Sequence, residues 1–308
     1  MNENKGLKFS LIIPTYNAEQ EILALLKSCY IQTYVPNEII IIDSSSTDAT
    51  YSLVSSLENV RVIQINQKDF DHGKTRDYGI SLSQFPFVCF LTQDVVLANS
   101  KYFENLLKPF VDDKIAVVTG RQIAKLEHSL IQKYTREFNY PSFSMRKDKS
   151  LVPSLGIKTY SISDVCSAYR KEAYYAVGGF DYPIISNEDM MIAIKFINQG
   201  YSIYYQAEAC IYHSHEYSLS REYKRNFDIG VSLAYYKDRL KNISVDNEGK
   251  LYVKYVIKRL MEKYHIILCI KFIVCCGVKF LGNRAGLQYE KLSKVQRIKK
   301  SNNRSFWK

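Results

Sequence analysis

The seven cysteines, at positions 29, 89, 166, 210, 269, 275 and 276, are odd in number and form no C-x-x-C pair. Most lie within apolar stretches, so they read as buried free thiols of a reducing compartment, which excludes a disulfide scaffold and a cysteine zinc site. A G-x-G-x-x-G fingerprint is absent, which argues against a dinucleotide oxidoreductase. No signal peptide is expected, because the first apolar run, Leu11-Ile12-Ile13, is far too short. Internal repeats and low-complexity linkers are lacking as well. A membrane-spanning helix needs about 20 apolar residues. The longest candidate, 266–278, is interrupted by Lys271 and Gly277 and falls short of that.

What is present is a globular composition: 308 residues, 46% hydrophobic and 24% charged, enough for one large domain with an appendage. The net charge of +11 is unevenly placed. From Lys250 to Lys308 there are 15 Lys and Arg against Glu262 and Glu290, a net of +13, which leaves 27 basic and 29 acidic residues before position 250, a net of −2. A nearly neutral body therefore carries a strongly basic tail, and an anionic partner is implied for the tail alone.

The body opens as alternating strands and helices. Phe9-Ser10-Leu11-Ile12-Ile13 reads as a buried strand, and Asn17 is expected to cap a helix with Gln20 as its capping-box partner. Ile22, Leu25, Leu26 and Cys29 form one helical stripe. Glu38-Ile39-Ile40-Ile41-Ile42 is a central strand ending on Asp43, and Ser46-Thr47-Asp48-Ala49-Thr50 opens the next helix. Strands at 60–63, 87–91 and 115–118 follow. This alternation predicts a mostly parallel sheet with helices on both faces.

Five features carry chemistry. Phe70-Asp71-His72-Gly73-Lys74-Thr75-Arg76 reads as a glycine-centred turn whose cationic side chains can surround phosphate oxygens; the plainer reading is a basic loop. Asp94 lies where the 87–91 strand emerges, the edge at which open α/β sheets bind ligands, and beside that turn it implies a divalent metal bridging to a diphosphate. Asp43 ends its own strand at the same edge, placed to accept from a pyrimidine N3–H or bind a ribose, while the hydroxyls after it suit helix capping. Glu188-Asp189 heads an amphipathic stretch through Met190, Met191, Ile194 and Ile197, a position where acids are also stabilised by the helix dipole. His213 and His215 follow the strand-like Ala209-Cys210-Ile211-Tyr212 and, by strand alternation, point to one side, as a borderline metal would require.

Pro14-Thr15-Tyr16-Asn17, Asp43 with Ser44-Ser45-Ser46-Thr47-Asp48, and Thr92-Gln93-Asp94 resemble the nucleotide-sugar half of a family 2 glycosyltransferase with the GT-A fold. Gly178-Gly179-Phe180-Asp181 and Ser186-Asn187-Glu188-Asp189 resemble that family's acceptor-side motifs. Phe70-Asp71-His72-Gly73, Gly120-Arg121-Gln122, Arg136-Glu137-Phe138-Asn139-Tyr140-Pro141 and Tyr212-His213-Ser214-His215 are similar to the bacterial rhamnosyltransferases within it. The resemblance covers roughly residues 8–240 and, more loosely, the tail ending in Phe306-Trp307. Two positions depart from the pattern: Gln93 stands where many relatives carry an acid, and Asp77 where an Asn is common.

The resemblance implies a GT-A catalytic domain over 1–240 and a helical, basic, membrane-associating region over 241–308. Pro14, Tyr16, Asn17, Asp43, Ser45, Asp71, His72, Gly73, Lys74, Arg76 and Gln93 are then the nucleotide-sugar contacts. Asp94, with His213 and His215, becomes the seat of Mg²⁺ or Mn²⁺ as cofactor. Asp189 becomes the general base, with Glu188 beside it orienting the acceptor. One base and no nucleophilic residue imply a single displacement with inversion. The expected reaction moves L-rhamnose from dTDP-rhamnose to a lipid-linked glycan in cell-surface polysaccharide synthesis. The alternatives are another nucleotide sugar on the same fold, or a binding scaffold without turnover; a scaffold would have no use for a base.

For the tail, the apolar run with flanking lysines fits a helix lying in the membrane interface. Lys291, Lys294, Arg297, Lys299, Lys300 and Arg304 would then meet anionic headgroups. Nucleic acid is not expected as a partner, since a phosphate-binding arm needs no apolar run. The expected location is cytoplasmic, at the inner face of the plasma membrane.

Overall fold

The computed structural model describes residues 6–241, 243 and 248–307. Nine strands form one sheet: β1 (Phe9–Thr15), β2 (Glu38–Asp43), β3 (Arg61–Gln64), β4 (Phe87–Leu91), β5 (Val96–Leu97), β6 (Ile115–Ile123), β7 (Met145–Lys147), β8 (Cys166–Arg170) and β9 (Ser202–Tyr212). Their order is β3-β2-β1-β4-β8-β6-β9-β5, with β7 alongside β9. β1 to β4, β6 and β9 run in one direction, and β5, β7 and β8 oppose them. The expected parallel sheet is thus present, with β8 wedged antiparallel between β4 and β6.

Central strands are apolar on both faces because helices cover both. Leu11 and Ile13 enter one core with Leu25, Leu26 and Cys29 of the helix Ile22–Tyr30. Ile12, between them, enters the opposite core with Ile80 and with Met191, Ile194 and Ile197 of the helix Glu188–Asn198. Alternation along one strand assigns each side chain to its layer.

Two local expectations are corrected. Asn17 does not cap the first helix, which starts at Ile22 after Ala18 accepts from Glu21 and Ile22 N–H. Asn17 instead holds φ +49°, and its Oδ1 accepts from Thr47 N–H at 2.8 Å, so a bond between loops replaces the local cap. Residues 72–82 are not a glycine-centred turn but the helix His72–Leu82. Asp71 caps it, accepting from Gly73 and Lys74 N–H at 2.9 and 3.0 Å.

The C-terminal region is packed onto the body. Helix Ile266–Leu287 lies along helix Leu219–Tyr235 with backbone against backbone: a Cβ on Gly286 would fall 2.1 Å from Phe227 O, and one on Gly282 would fall 2.4 Å from Tyr223 O. Phe272 and Cys269 join Tyr134 of the helix Leu130–Asn139 in a further core with Val256 and Leu260. The expected domain boundary at 240/241 abuts residues 242 and 244–247, which lie outside the described residues. The helix, at 22 residues, is longer than its apolar run, with a mean hydropathy of 1.9 over 18 of them; by length and composition alone it could cross a membrane. Yet Ile267, Ile270, Ile273, Val274 and Leu281 form one exposed stripe, while Phe272, Gly282 and Gly286 on the other side are buried.

Overpacking at a backbone–backbone contact cannot be relieved by a rotamer change. Gly286→Ala is expected to cost about 1–3 kcal/mol of stability. Gly277→Ala in the same helix, where a Cβ meets nothing within 4 Å, should be neutral or stabilise by up to about 1 kcal/mol. Urea denaturation of both variants checks the contrast, and equal effects would contradict the packing.

Candidate active site

The carboxyl ends of β1, β2 and β4 open at one edge, where Thr15 and Asp43 are in register. Asp43 is fully buried, and its carboxylate accepts from Ser46 N–H at 3.0 Å, Gln64 Nε2 at 3.3 Å and the Ser46 hydroxyl. Both oxygens are therefore spent on the loop after β2, and the expected Ser46 helix cap is replaced by this bond. Ser45, at φ +56°, donates to Ile65 O at 2.8 Å, and Asn17 N–H donates to Ser46 Oγ at 2.9 Å. Gln93 accepts from Tyr16 N–H at 2.8 Å and donates to Tyr16 O at 3.0 Å. An ionised acid could make only the first of these bonds, which gives Gln93 its physical reason. Pro14, Tyr16, Asn17, Asp43, Ser45 and Gln93 thus build one stiff double loop, from which Tyr16 is 39% exposed.

On the capped helix, the expected phosphate contacts divide. Asp71 is committed to its cap and to Ile184 N–H at 2.8 Å, and a Cβ on Gly73 would lie 2.6 Å from Asp181 O, so both residues dock the helix onto the 180–184 segment. Lys74 is exposed. Arg76 is buried: its Nη1 donates to Glu188 Oε1 at 2.9 Å and to His72 O at 3.0 Å, and its Nε lies 3.6 Å from Asp164 Oδ2. Asp77, off the expected pattern, accepts from the Tyr174 hydroxyl at 2.6 Å.

Asp94, His213 and His215 converge as strand alternation requires. His213 Nε2 and His215 Nε2 lie 3.5 and 3.2 Å from Asp94 Oδ2, and one ligand atom from each of the three residues falls within 4.8 Å of the others. His213 reaches this place through an irregularity in β9: pairing with β6 jumps from Gly120–Gln206 to Arg121–Cys210, after which His213 N–H bonds to Ile123 O. His213 Nδ1 is 2.9 Å from Gln122 Oε1, which also accepts from Arg136 Nη1 at 3.0 Å. With Gln122 presenting its oxygen, the His213 proton sits on Nδ1 and the Nε2 lone pair faces Asp94. Burial lowers both imidazole pKa values, His215 to about 4, the neighbouring His213 adding to the effect there. Burial alone would raise Asp94, but in acid, once the histidines are protonated, the hydrogen bond from His213 and both histidine charges outweigh it and hold the carboxyl far below the usual range. One anionic and two neutral ligands, already gathered, fit a divalent cation.

Opposite them stands the acidic pair. Asn187, in the left-handed region at φ +64°, turns the chain into the helix that Glu188 begins. Burial would raise the Glu188 pKa, but facing His72 and Arg76 it is net lowered, so the group stays charged. Asp189 is pushed the other way, well above the usual carboxylate value, by desolvation and by the neighbouring Glu188 and Asp164 charges. A carboxylate with a raised pKa is a stronger base.

A cavity of about 550 Å³ unites His72, Arg76, Asp94, Glu188, Asp189, His213 and His215. The other expected contacts do not line it: Pro14, Tyr16, Asn17, Asp43, Ser45 and Gln93 form the double loop, and Asp71, Gly73 and Lys74 cap or lie on the helix His72–Leu82. Sequence reasoning missed Gln122, Arg136, Tyr217, Arg225, Lys279 and Asn302, which line the same cavity. Gln122 and Arg136 lay in segments already singled out for resemblance, without a role; the others carried no local signal. Tyr134 and Tyr169 are core residues, whereas Tyr140 reaches the cavity.

A mixed sheet with its nucleotide edge beside an Asp-His-His cluster and a facing acidic pair is the arrangement of a GT-A glycosyltransferase. The chain belongs to glycosyl transferase family 2, whose match spans residues 10–178. It is 36% identical over 288 residues to the O-antigen chain rhamnosyltransferase RfbN of Salmonella typhimurium, covering 93% of this chain and 91% of that one. It is likewise 36% identical over 291 residues to the O-antigen chain rhamnosyltransferase WbaN of Salmonella anatum, covering 92% and 90%. Among solved structures, the mannosyltransferase PcManGT of Pyrobaculum calidifontis, in complex with GDP-Man and Mn²⁺, shares the fold with a TM-score of 0.64 at 13% identity, over 92% of this chain and 88% of that one. S. aureus TarS 1-349 does so with a TM-score of 0.56 at 19% identity, over 97% and 89%.

Proposed function

We propose that this glycosyltransferase moves L-rhamnose from dTDP-rhamnose, with inversion, onto a lipid-linked glycan during synthesis of a cell-surface polysaccharide. The observation that carries the reading is the shared cavity, which Asp94, His213, His215 and Asp189 all line; the sugar is supported by the names of the two Salmonella relatives. Residues 1–240 form the catalytic domain in this reading, and 241–308 a basic helical region that rests on it.

In the reaction the acceptor oxygen bonds to the anomeric carbon as the bond from that carbon to the diphosphate breaks. The acceptor proton passes to Asp189, and the nucleoside diphosphate leaves. Glu188, fixed by Arg76, holds its charge beside the base, and with no nucleophile in the cavity a single displacement inverts the centre. Mg²⁺ or Mn²⁺, held by Asp94, His213 and His215, supplies Lewis-acid stabilisation of the leaving diphosphate. Arg76 is committed to Glu188 and burial lowers the His72 pKa, so of the expected cations on this helix Lys74 is the one left for the diphosphate. The double loop at Asp43 frames the base, with Tyr16 as its exposed face.

The helix 266–287 lies in the membrane interface in this account. Its exposed isoleucine stripe faces lipid, its opposite side stays packed on the body, and Lys291, Lys294, Lys299 and Arg304 meet anionic headgroups. Arg297 leaves that set, because its Nε donates to Tyr289 O and Leu292 O at 2.9 Å. Lys300 is bonded to the Tyr223 hydroxyl at 3.0 Å. Contact with the membrane would place the enzyme at its cytoplasmic face, beside a lipid-linked acceptor.

Asp189→Asn should lower turnover by about two to four orders of magnitude with donor affinity unchanged. Because the base works ionised and its pKa is raised, activity of the intact enzyme should fall with acid at a pH above the ordinary Asp value of about 4. Steady-state rates against pH test both; near-normal turnover of the variant would remove Asp189 from its role. For the membrane, Ile267→Glu with Ile270→Glu alters residues 71% and 59% exposed, so folding should survive. Sedimentation with anionic vesicles should drop sharply, and unchanged sedimentation would refute the interfacial helix.

A further inference from the structure

We infer that the C-terminal segment 301–307 is part of the acceptor site, forming the wall that recognises the acceptor's saccharide. This rests on the proposed transfer to a glycan and extends it to a region with no catalytic motif. The segment is fastened by one carboxylate. Asp228, buried on helix Leu219–Tyr235, accepts from Ser301 Oγ at 2.6 Å, Asn302 N–H at 2.9 Å and Asn303 N–H at 3.0 Å. Three donors converging on one buried carboxylate fix the backbone of 301–303 in a single place. Trp307 then inserts beside Ile185, Phe227 and Val231, with the Arg297 guanidinium 5.6 Å from its ring.

Two consequences follow from this placement. Asn303 Nδ2 lies 3.4 Å from Ile185 O, and Ile185 packs against Trp307, so the segment backs the short stretch that leads into Glu188 and Asp189. Asn302 lines the catalytic cavity, and among the described residues its side-chain amide has no hydrogen-bond partner. Arg225 and Lys279 line the same cavity. An unpaired amide on a segment that backs the stretch leading into the proposed base, in a cavity with cationic side chains, is a group that reads a hydroxyl-rich sugar: it donates to one oxygen and accepts from another. The nucleotide is assigned elsewhere, because Tyr16, Asn17, Asp43, Ser45 and Gln93 are not among the residues that line this cavity.

The test uses the full chain and, as acceptor, the lipid fraction extracted from cells lacking it, with the nucleotide sugar that labels this fraction in the presence of the intact chain. A wrong donor sugar therefore shows with the intact chain, before any variant is compared. Asn302→Ala should raise the acceptor KM by about tenfold, the worth of a hydrogen bond or two, and leave nucleoside diphosphate affinity by calorimetry as it was. Val111→Ala, at a side chain 87% exposed and outside the cavity lining, should behave as the intact chain. Asp228→Asn should loosen the segment, and the only tryptophan in the chain, Trp307, reports it: emission should shift to the red, with far-UV circular dichroism unchanged and acceptor KM raised. The inference is overturned if Asn302→Ala keeps the acceptor KM, or weakens nucleoside diphosphate binding as much as it weakens acceptor use. It is equally overturned if Asp228→Asn reddens Trp307 emission while acceptor KM stays put.

Discussion

Arg76 is a single guanidinium enclosed by carboxyl groups, bonded to Glu188 and 3.6 Å from Asp164, with Asp189 next along the chain from its partner. One buried cation cannot neutralise three carboxylates, so they cannot all be ionised there. Glu188 keeps its charge because it faces Arg76 and His72. Asp164 is raised by burial, with the Glu188 charge adding to it, and bonded by the Tyr169 hydroxyl at 2.6 Å. Asp189 is raised as well, and of the two it is the one that lines the cavity. The position proposed to accept the proton thus follows from how charge is shared around one arginine. The same ion pair joins the capped helix at 72–82, beside the nucleotide edge, to the helix carrying the base.

Across the cavity the logic is reversed. Asp94 keeps its charge while burial lowers both imidazole pKa values, an arrangement of one anion and two neutral donors that suits a divalent cation. Gln122 aligns His213, and Arg136 aligns Gln122, so the seat is oriented before anything binds. The Asp-His-His cluster and the acidic pair line one cavity, and Lys279 of the helix Ile266–Leu287 and Asn302 of the C-terminal segment line it with them. The tail is therefore a structural part of the enzyme as well as its candidate membrane contact.

Much of this was legible in the chain. Unbroken apolar runs marked β1, β2 and β4, the spacing of Ile22, Leu25, Leu26 and Cys29 marked the first helix, and alternation placed His213 and His215 on one side. What escaped depended on partners distant in sequence. Asn17 looks like a cap until Thr47 claims it, and His72-Gly73-Lys74 looks like a phosphate turn until Asp71 caps it as a helix and Asp181 packs against Gly73. Gln93 departs from the family pattern for a reason visible only beside the Tyr16 backbone. Lys279 and Asn302 carry no motif, because only the packing of Gly282 and Gly286 against the 219–235 helix and the Asp228 anchor bring them to the cavity.

The central claim is that Asp94, His213 and His215 hold a divalent cation that the nucleoside diphosphate shares. Calorimetric titration of the full chain with dTDP, with Mn²⁺ and then in excess chelator, tests it most directly. Sharing predicts that Mn²⁺ tightens dTDP binding by about tenfold or more, within the usual range of coupling between sites, and that His213→Ala with His215→Ala abolishes the difference. Equal dTDP affinity with and without Mn²⁺, together with full sugar transfer in excess chelator, would contradict it.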